Sequence, residues 1–224
     1  MNYLYCTLIG YFIGAVNPSY IISKMRGFDI RKKGSGNAGA SNALIIFGKA
    51  LGALCAIIDI AKAYLSILLT EHIFPDFTHA FAVTAVACTL GHIFPFYMKF
   101  RGGKGLACIG GLILYYNWKI FLIMLACAIV VALVFDYICF IPICASIAFP
   151  VIYVLMTKDF VGMVLLLILA AVVFLKHIEN LKRIRQGQEM HISYLWKPKS
   201  ELERVKRNLT ENGDDIETHF SSKK

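Results

Sequence analysis

A glycine-rich polar segment, residues 34–42 with the sequence GSGNAGASN, carries residue types that bind phosphate. Glycine allows positive φ angles and a close approach of the backbone, and successive N–H groups in such a turn form a concave anion site. An apolar run follows, so a helix N-terminus is expected to point at the segment and to favour negative charge there. The segment predicts a phosphate site, and a capped polar loop is the alternative. Its candidate ligands are Gly34, Ser35, Gly36, Asn37, Gly39, Ser41 and Asn42.

A second segment, residues 91–105 with the sequence GHIFPFYMKFRGGKG, ends in a lysine flanked by glycines. An apolar helix is expected directly after Lys104, which would bring a cation, backbone N–H groups and a helix N-terminus together. The spacing of a Walker A loop is absent, so a nucleotide site of that type is not indicated. We predict a second phosphate site at Arg101, Gly102, Gly103 and Lys104, and a basic membrane anchor with a glycine turn is the alternative.

A third polar segment, residues 177–189 with the sequence HIENLKRIRQGQE, follows the last apolar run of the chain. His177 and Asn180 are three residues apart, so they share one face of a helix. A polar helix end at the membrane surface would show the same pattern. The functional interpretation therefore depends on whether the three segments face the same compartment.

The composition indicates an all-α integral membrane protein. Hydrophobic residues make up 58% of the 224 residues and charged residues 17%, whereas a soluble domain averages roughly 45–50% apolar residues. A membrane helix needs roughly 17–25 such residues. We expect about seven transmembrane helices, one of which (105–117) is short or re-entrant, and the alternative is five, with 105–135 and 137–176 merged. The candidate spans are 3–23, 50–70, 79–98, 105–117, 120–135, 137–156 and 160–176.

The basic residues predict the orientation of these helices. The segments 24–49, 99–104 and 176–224 hold 20 of the 23 lysines and arginines. Because positive residues stay on the cytoplasmic side, we expect the N-terminus outside and the C-terminus in the cytoplasm. All three polar segments then face the cytoplasm. The net charge of +9 is explained without nucleic acid as a partner.

Residues 1–191 are expected to form the membrane domain, and residues 192–224 a polar cytoplasmic extension that is partly helical around 199–210. Inside the second span, Asp59 and Lys62 are three residues apart, and we interpret them as a structural ion pair. Two phosphate-binding segments beside apolar helices indicate a site that handles a phosphate and an acyl chain. An organic-phosphate transporter and a scaffold that binds lipid headgroups are the alternatives.

The three segments resemble the motifs of the bacterial acyl-phosphate:glycerol-3-phosphate acyltransferases, the PlsY family. The family motifs look like GSGNxGATN, GHxFPxFxxFKGGKG and HxxNIxRLxxGxE, and residues 34–42, 91–105 and 177–189 match them in order and spacing. The run Asn17-Pro18-Ser19, Lys24 and the Asp59–Lys62 pair are also similar to the family. The resemblance extends over residues 1 to about 191.

This resemblance implies a multi-pass enzyme of the bacterial cell membrane that uses neither metal nor cofactor and has its active site facing the cytoplasm. It implies transfer of a fatty acyl group from acyl phosphate to the 1-hydroxyl of glycerol 3-phosphate, which gives lysophosphatidic acid and phosphate. The implied partners are these two substrates, the lipid bilayer and an upstream enzyme that forms the acyl phosphate. The implied catalytic residues are Ser35, Lys104, His177 and Asn180, and the implied phosphate ligands include Ser19, Lys24 and Arg183 besides those named above.

Four positions depart from the family pattern. Ile45 stands where the family usually has arginine, and Asp136 and Cys139 stand where it tends to have arginine and serine. Pro142 occupies a later serine position. A diverged paralogue with another acceptor or with weak activity is therefore an alternative. We expect Asp136 to repel a phosphate if its side chain points into the site.

Overall fold

The computed structural model describes residues 1–211, and over that range the chain forms α-helices and short 3-10 helices but no β-strand. The 3-10 helices are Ile30–Lys32, Phe96–Met98 and Ile192–Leu195. In chain order the α-helices are α1 (Asn2–Ala15), α2 (Pro18–Met25), α3 (Ala40–Phe47), α4 (Lys49–Ile73), α5 (Ala80–Ile93), α6 (Leu106–Tyr116), α7 (Trp118–Phe135), α8 (Phe140–Thr157), α9 (Phe160–Arg185) and α10 (Pro198–Glu211).

Within the described part of the chain, six helical segments are long and apolar enough to cross a membrane. A shorter apolar helix, Leu106–Tyr116, corresponds to the short segment expected at 105–117. The expected all-helical membrane architecture is therefore confirmed. The six segments are Asn2–Met25, Lys49–Ile73, Ala80–Met98, Trp118–Phe135, Phe140–Thr157 and Phe160–Arg185.

The merged helices of the five-helix alternative do not form. Asn117 is extended, with φ −164° and ψ 115°, and its side chain accepts hydrogen bonds from the first N–H groups of α7. Asp159 is also extended, and its Oδ1 accepts a hydrogen bond of 2.9 Å from the N–H of Gly162 in α9. Both residues are N-caps, which begin a new helix rather than continue the preceding one.

Helix α5 lies at the centre of the bundle, where it packs against α1, α4, α6 and α9. Its contact with α1 is close because small residues line it: a Cβ at Gly14 would lie 2.0 Å from the Cys88 carbonyl oxygen, and one at Gly91 2.2 Å from that of Tyr11. Small residues allow this approach between membrane helices. Helix α7 is peripheral, packs against α6 and α8, and has no fully buried side chain.

A buried ion pair fastens α4 to its neighbours near the end of α5. The ammonium of Lys62 lies 2.7 Å from an Asp59 carboxylate oxygen, and it donates hydrogen bonds to the Val16 carbonyl at 2.6 Å and to Nδ1 of His92 at 2.9 Å. The expected pair is therefore formed. Since a charge inside a membrane bundle must be satisfied there, the pair holds the α1–α2 junction, α4 and α5 in one arrangement.

The C-terminal extension is folded as far as the structure describes it. Helix α10 covers the segment expected to be helical around 199–210 and packs against the 3-10 helix Ile192–Leu195. Val205 and Leu209 of α10 are buried. The rest of the expected extension, residues 212–224, lies outside the described residues.

Candidate active site

The segment 34–42 forms a loop organised by the side chain of Asn42, which is completely buried. Its Nδ2 donates hydrogen bonds to the carbonyls of Ile30 (3.1 Å), Lys33 (3.0 Å) and Asn37 (2.7 Å). Its Oδ1 accepts one of 2.8 Å from the N–H of Ser35. Asn42 therefore shapes the loop from inside, and the ligand contact predicted for it stays a prediction.

The outer part of this loop presents the other predicted groups. Gly34 has φ +60°, and a Cβ there would lie 2.3 Å from Oδ1 of Asn42, so only glycine fits. Ser35 and Asn37 are half-buried, Gly36 and Ser41 are exposed, and the Ser35 hydroxyl has no hydrogen-bond partner within residues 1–211. A Cβ on Gly39 would lie 3.9 Å from the Gly103 Cα, so the first and second motifs touch.

The second motif is folded tightly against the end of α5. The N–H groups of Gly102 and Gly103 donate to the carbonyls of Ile93 and His92 at 2.9 and 3.1 Å. A Cβ at Gly103 would lie 2.0 Å from Nε2 of His92, which explains the glycine. These two amides shape the loop in this structure, and Lys104 follows them directly as a cation that could bind a phosphate.

Lys104 connects the second motif with the third. Its half-buried ammonium donates a hydrogen bond to Oδ1 of Asn180. The Nδ2 of Asn180 donates to a Glu189 carboxylate oxygen at 2.6 Å, and Nε of Arg183 donates to the other oxygen at 2.7 Å. A cation, an amide, a carboxylate and a second cation are thus held in one network, which fixes the direction of each donor.

His177 lies one turn before Asn180 on α9 and is buried. Its Nδ1 is 2.8 Å from the Val173 carbonyl oxygen. Because a carbonyl can only accept, Nδ1 carries the proton, and the neutral ring keeps a lone pair on Nε2. The backbone of α9 therefore sets the tautomer that a proton acceptor requires.

The charge of Lys104 is sensitive to its surroundings. Burial lowers the pKa of Lys104 to about 8, the Arg183 guanidinium lowers it as well, and the carboxylates of Glu189 and Glu179 act in the opposite direction. At neutral pH the ammonium therefore predominates, and it loses its proton as the pH rises through about 8. A bound phosphate would stabilise the protonated form.

Three predicted ligands are not part of the Lys104 hydrogen-bond network. Ser19 is completely buried in α2 next to Cys55 of α4. Lys24 is exposed, with its ammonium 5.5 Å from the centre of the Tyr20 ring, and Arg101 is also exposed. Within residues 1–211, no hydrogen bond joins any of these three side chains to the Lys104 network.

The four departures from the family pattern differ in position. Ile45 is half-buried in α3, and Cys139 and Pro142 are buried at the start of α8. Burial raises the pKa of Cys139 to about 11, so its thiol stays neutral beside Lys104. Asp136 turns away towards the C-terminal extension, where its Oδ1 accepts a hydrogen bond of 3.2 Å from the N–H of Ser193.

Two residues that build this site had no role predicted from the sequence. Glu189 and His92 lie within the recognised motifs, but only the fold shows that Glu189 orients Asn180 and that His92 supports Gly103. Arg31 pairs with Asp29 at 2.7 Å and donates to the carbonyls of residues 98 and 101. Asp29 is close in sequence, but the two carbonyls are about 70 residues away, so local spacing does not indicate that Arg31 supports the second motif.

Comparison with known proteins points to one family. The family model described as glycerol-3-phosphate acyltransferase matches residues 4–187. Glycerol-3-phosphate acyltransferase 2 of Thermotoga maritima is 36% identical over 187 residues, which cover 83% of this chain and 94% of the relative. Glycerol-3-phosphate acyltransferase of Clostridioides difficile is 33% identical over 196 residues, with coverages of 85% and 96%.

Two solved structures with a similar fold belong to a protein of the same activity as these relatives. The crystal structure of PlsY (YgiH), an integral membrane glycerol 3-phosphate acyltransferase, in its glycerol 3-phosphate form has a TM-score of 0.78 and 26% identity. That similarity covers 87% of this chain and 98% of the other. The lysophosphatidic acid form has a TM-score of 0.74 at 26% identity, with coverages of 85% and 95%.

Proposed function

This chain belongs to the glycerol-3-phosphate acyltransferase family, and on that premise we propose that it transfers a fatty acyl group from acyl phosphate to the 1-hydroxyl of glycerol 3-phosphate. The products are lysophosphatidic acid and inorganic phosphate. The observation that carries the proposal is the network in which Asn180, held by Glu189, fixes the Lys104 ammonium beside the loop 34–42.

Acyl phosphate is already activated, so positioning and charge stabilisation are the main tasks of the protein. The glycerol 3-phosphate hydroxyl oxygen attacks the acyl carbon, an ester bond forms, and the bond between that carbon and the phosphate oxygen breaks. Lys104 neutralises a substrate phosphate, the loop with Ser35 holds the second substrate beside it, and Asn180 hydrogen-bonds the acceptor or the developing oxyanion. Arg183 adds positive charge next to Lys104.

The proton of the attacking hydroxyl goes either to a substrate phosphate or to Nε2 of His177. The bond from Nδ1 to the Val173 carbonyl supports His177 as an acceptor, because it leaves the Nε2 lone pair available. A His177→Gln variant distinguishes the routes. If phosphate takes the proton, the variant keeps the wild-type pH dependence of kcat, whereas a route through His177 loses the acidic limb of that profile.

The proposal includes seven membrane helices, with Leu106–Tyr116 as the short one, an outside N-terminus and a cytoplasmic C-terminus. The concentration of lysines and arginines in the segments 24–49, 99–104 and 176–224 supports this orientation. It puts the site on the cytoplasmic side of a bacterial cell membrane, where an upstream enzyme delivers acyl phosphate. Residues 1–191 form the acyltransferase domain and residues 192–224 a cytoplasmic extension.

The test is conversion of labelled glycerol 3-phosphate by the purified protein in the presence of acyl phosphate. We expect lysophosphatidic acid and one equivalent of phosphate, and no product from acyl-CoA. Lys104→Ala should reduce kcat/KM more than about 100-fold, because it removes a preorganised charge from the transition state. Lys99→Ala is the matched control, since Lys99 is exposed in the same loop. Full activity of Lys104→Ala would contradict the scheme, and phosphate uptake into vesicles without product would indicate a transporter.

A second candidate is the same transfer to a different acceptor. It is favoured by Ile45, Cys139 and Pro142, which place no cation or hydroxyl at positions where the family has them. The acceptor is identified by offering phosphorylated polyols of different length in the same assay. A kcat/KM for one of them that exceeds the value for glycerol 3-phosphate would favour this candidate.

A further inference from the structure

The C-terminal extension is attached to the loop that carries Glu189. The guanidinium of Arg204 in α10 donates to the Gly187 carbonyl at 2.8 Å and to the Glu189 carbonyl at 2.6 Å. The Asn208 amide also donates to the Gly187 carbonyl, at 2.7 Å. One side chain of the extension thus holds two backbone groups of the segment that orients the Lys104 network.

Arg204 is itself held in place. Its guanidinium contacts the carboxylate of Glu201, with the shortest separation 2.9 Å, and the side chain of Glu201 is 9% exposed. Val205 and Leu209 are buried on the same helix. A guanidinium that makes several bonds in a fixed plane loses little freedom for each bond, so it is a rigid support.

A second set of contacts fastens the extension to the junction of α7 and α8. The ring of His191 lies 3.2 Å from a Glu201 oxygen and 3.0 Å from the Tyr137 hydroxyl. The carbonyl of Asp136 accepts a hydrogen bond of 2.9 Å from Ile192. The carboxylate of Asp136 also receives an N–H group of the extension, that of Ser193.

We propose that Arg204 is a positioning residue of the acyl transfer: it fixes the Gly187–Glu189 backbone, so that the Glu189 carboxylate holds Asn180 in line with Lys104. The inference rests on the proposed function. Arg204 does not contact the reacting groups and acts through Glu189. The family match ends at residue 187, so this support comes from a part of the chain that the family model does not include.

The geometry predicts how the support fails. Without Arg204, the Gly187 and Glu189 carbonyls lose charge-assisted bonds, and the turn that places Glu189 loosens. The N–H groups of Gln188 and Glu189, which donate to the Arg183 carbonyl at 2.8 and 3.3 Å, then exchange faster with solvent. Asn180 loses its fixed orientation, and the Lys104 ammonium loses a nearby negative charge.

The test compares full-length wild type with Arg204→Ala, Arg204→Lys and Arg207→Ala. Arg207 is exposed on the same helix, so its variant is the matched control. In the acyl phosphate assay, we expect Arg204→Ala to lower kcat at least about tenfold, because a displacement of about 1 Å in a site is costly. Arg204→Lys should fall between Arg204→Ala and wild type, and Arg207→Ala should match wild type.

Two further measurements distinguish positioning from general destabilisation. The alkaline limb of kcat/KM should move to lower pH in Arg204→Ala, because Glu189 helps to keep Lys104 protonated. Hydrogen exchange of residues 186–190 should accelerate in that variant, while exchange in α5 stays unchanged. The charged or titratable groups that act on Lys104 are Arg183, Glu189, Glu179, Cys139 and His177.

Equal kcat, pH profile and exchange in Arg204→Ala and Arg207→Ala would overturn the inference. So would a loss of activity without a change in exchange or pH profile, since it would indicate a structural role alone. If Arg204→Ala does not fold, the same comparisons are made with Arg204→Lys. If the wild type forms no product, the proposed function fails, and the exchange measurement alone decides whether Arg204 holds the Glu189 loop.

Discussion

Replacing Gly103 by alanine tests whether the close packing of Gly103 against the His92 ring places Lys104 for activity. The added Cβ would lie 2.0 Å from Nε2 of His92, whereas ordinary contacts of a Cβ begin at 3.4 Å. His92 cannot retreat easily, because its Nδ1 accepts a hydrogen bond from Lys62, whose ammonium also pairs with Asp59. The loop must therefore move by more than about 1 Å and take Lys104 with it.

A misplacement of about 1 Å can reduce a rate on the order of 100-fold. We therefore expect kcat/KM of Gly103→Ala to fall about 100-fold, which corresponds to about 2.7 kcal/mol of lost transition-state stabilisation. The assay is formation of lysophosphatidic acid from labelled glycerol 3-phosphate and acyl phosphate, with purified protein that elutes as a single species.

Gly110→Ala is the matched control in the neighbouring helix. A Cβ there would lie 3.8 Å from Phe121 and 3.9 Å from Ile60, which are ordinary contacts. We expect this variant to retain wild-type kinetics. Activity of Gly103→Ala within about threefold of wild type, with an intact fold, would refute the reasoning, because it would show that the His92 contact does not place Lys104.

Three other predictions follow from the same geometry. The pKa of Lys104 without bound substrate is about 8, so kcat/KM should decline as the pH rises through 8, because the ammonium that binds phosphate is lost. A flat profile of kcat/KM from pH 7 to 9 would contradict this. Asn42→Ala leaves four backbone groups of the loop without their partner, which costs about 1–3 kcal/mol for each group that stays buried. We therefore expect the KM for glycerol 3-phosphate to rise at least about tenfold in steady-state kinetics. An unchanged KM would argue against a loop built around Asn42. Lys62→Met removes the ammonium from the buried Asp59 carboxylate and leaves only the His92 ring, 3.4 Å away, as a partner within the described part of the chain. Breaking a buried pair costs about 3–5 kcal/mol, so thermal unfolding in detergent should occur at a clearly lower temperature. Lys158→Met, at an exposed residue, should unfold like wild type.

Much of the architecture could be predicted from local patterns. The apolar runs predicted the long helices and the short one at Leu106–Tyr116, because each membrane helix must satisfy its own backbone hydrogen bonds and so needs a continuous apolar stretch. The structure adds that Asn117 and Asp159 are the N-caps that begin α7 and α9. Motif spacing also placed His177 and Asn180 on one helix face.

Local patterns could not predict which residues of each motif shape the loop and which are left to contact a ligand. Asn42 has the side-chain type of a ligand, yet in the structure its amide makes hydrogen bonds to backbone groups of the loop. The amides of Gly102 and Gly103 are likewise bound to the end of α5. A hydrogen bond to a buried backbone group occupies part of the bonding capacity of a side chain or N–H group, and which groups are occupied depends on neighbours that a motif does not specify.

The sequence by itself determined that this is a helical membrane protein, which three polar segments are candidates for the site, and which family the chain resembles. Those properties follow from composition and from spacings within one turn or loop. Only the tertiary structure decided that Glu189 holds Asn180, that His92 supports Gly103 and that Arg204 reaches back to the Glu189 loop. These contacts join groups that different parts of the chain supply, and their geometry depends on how the helices pack rather than on any local pattern.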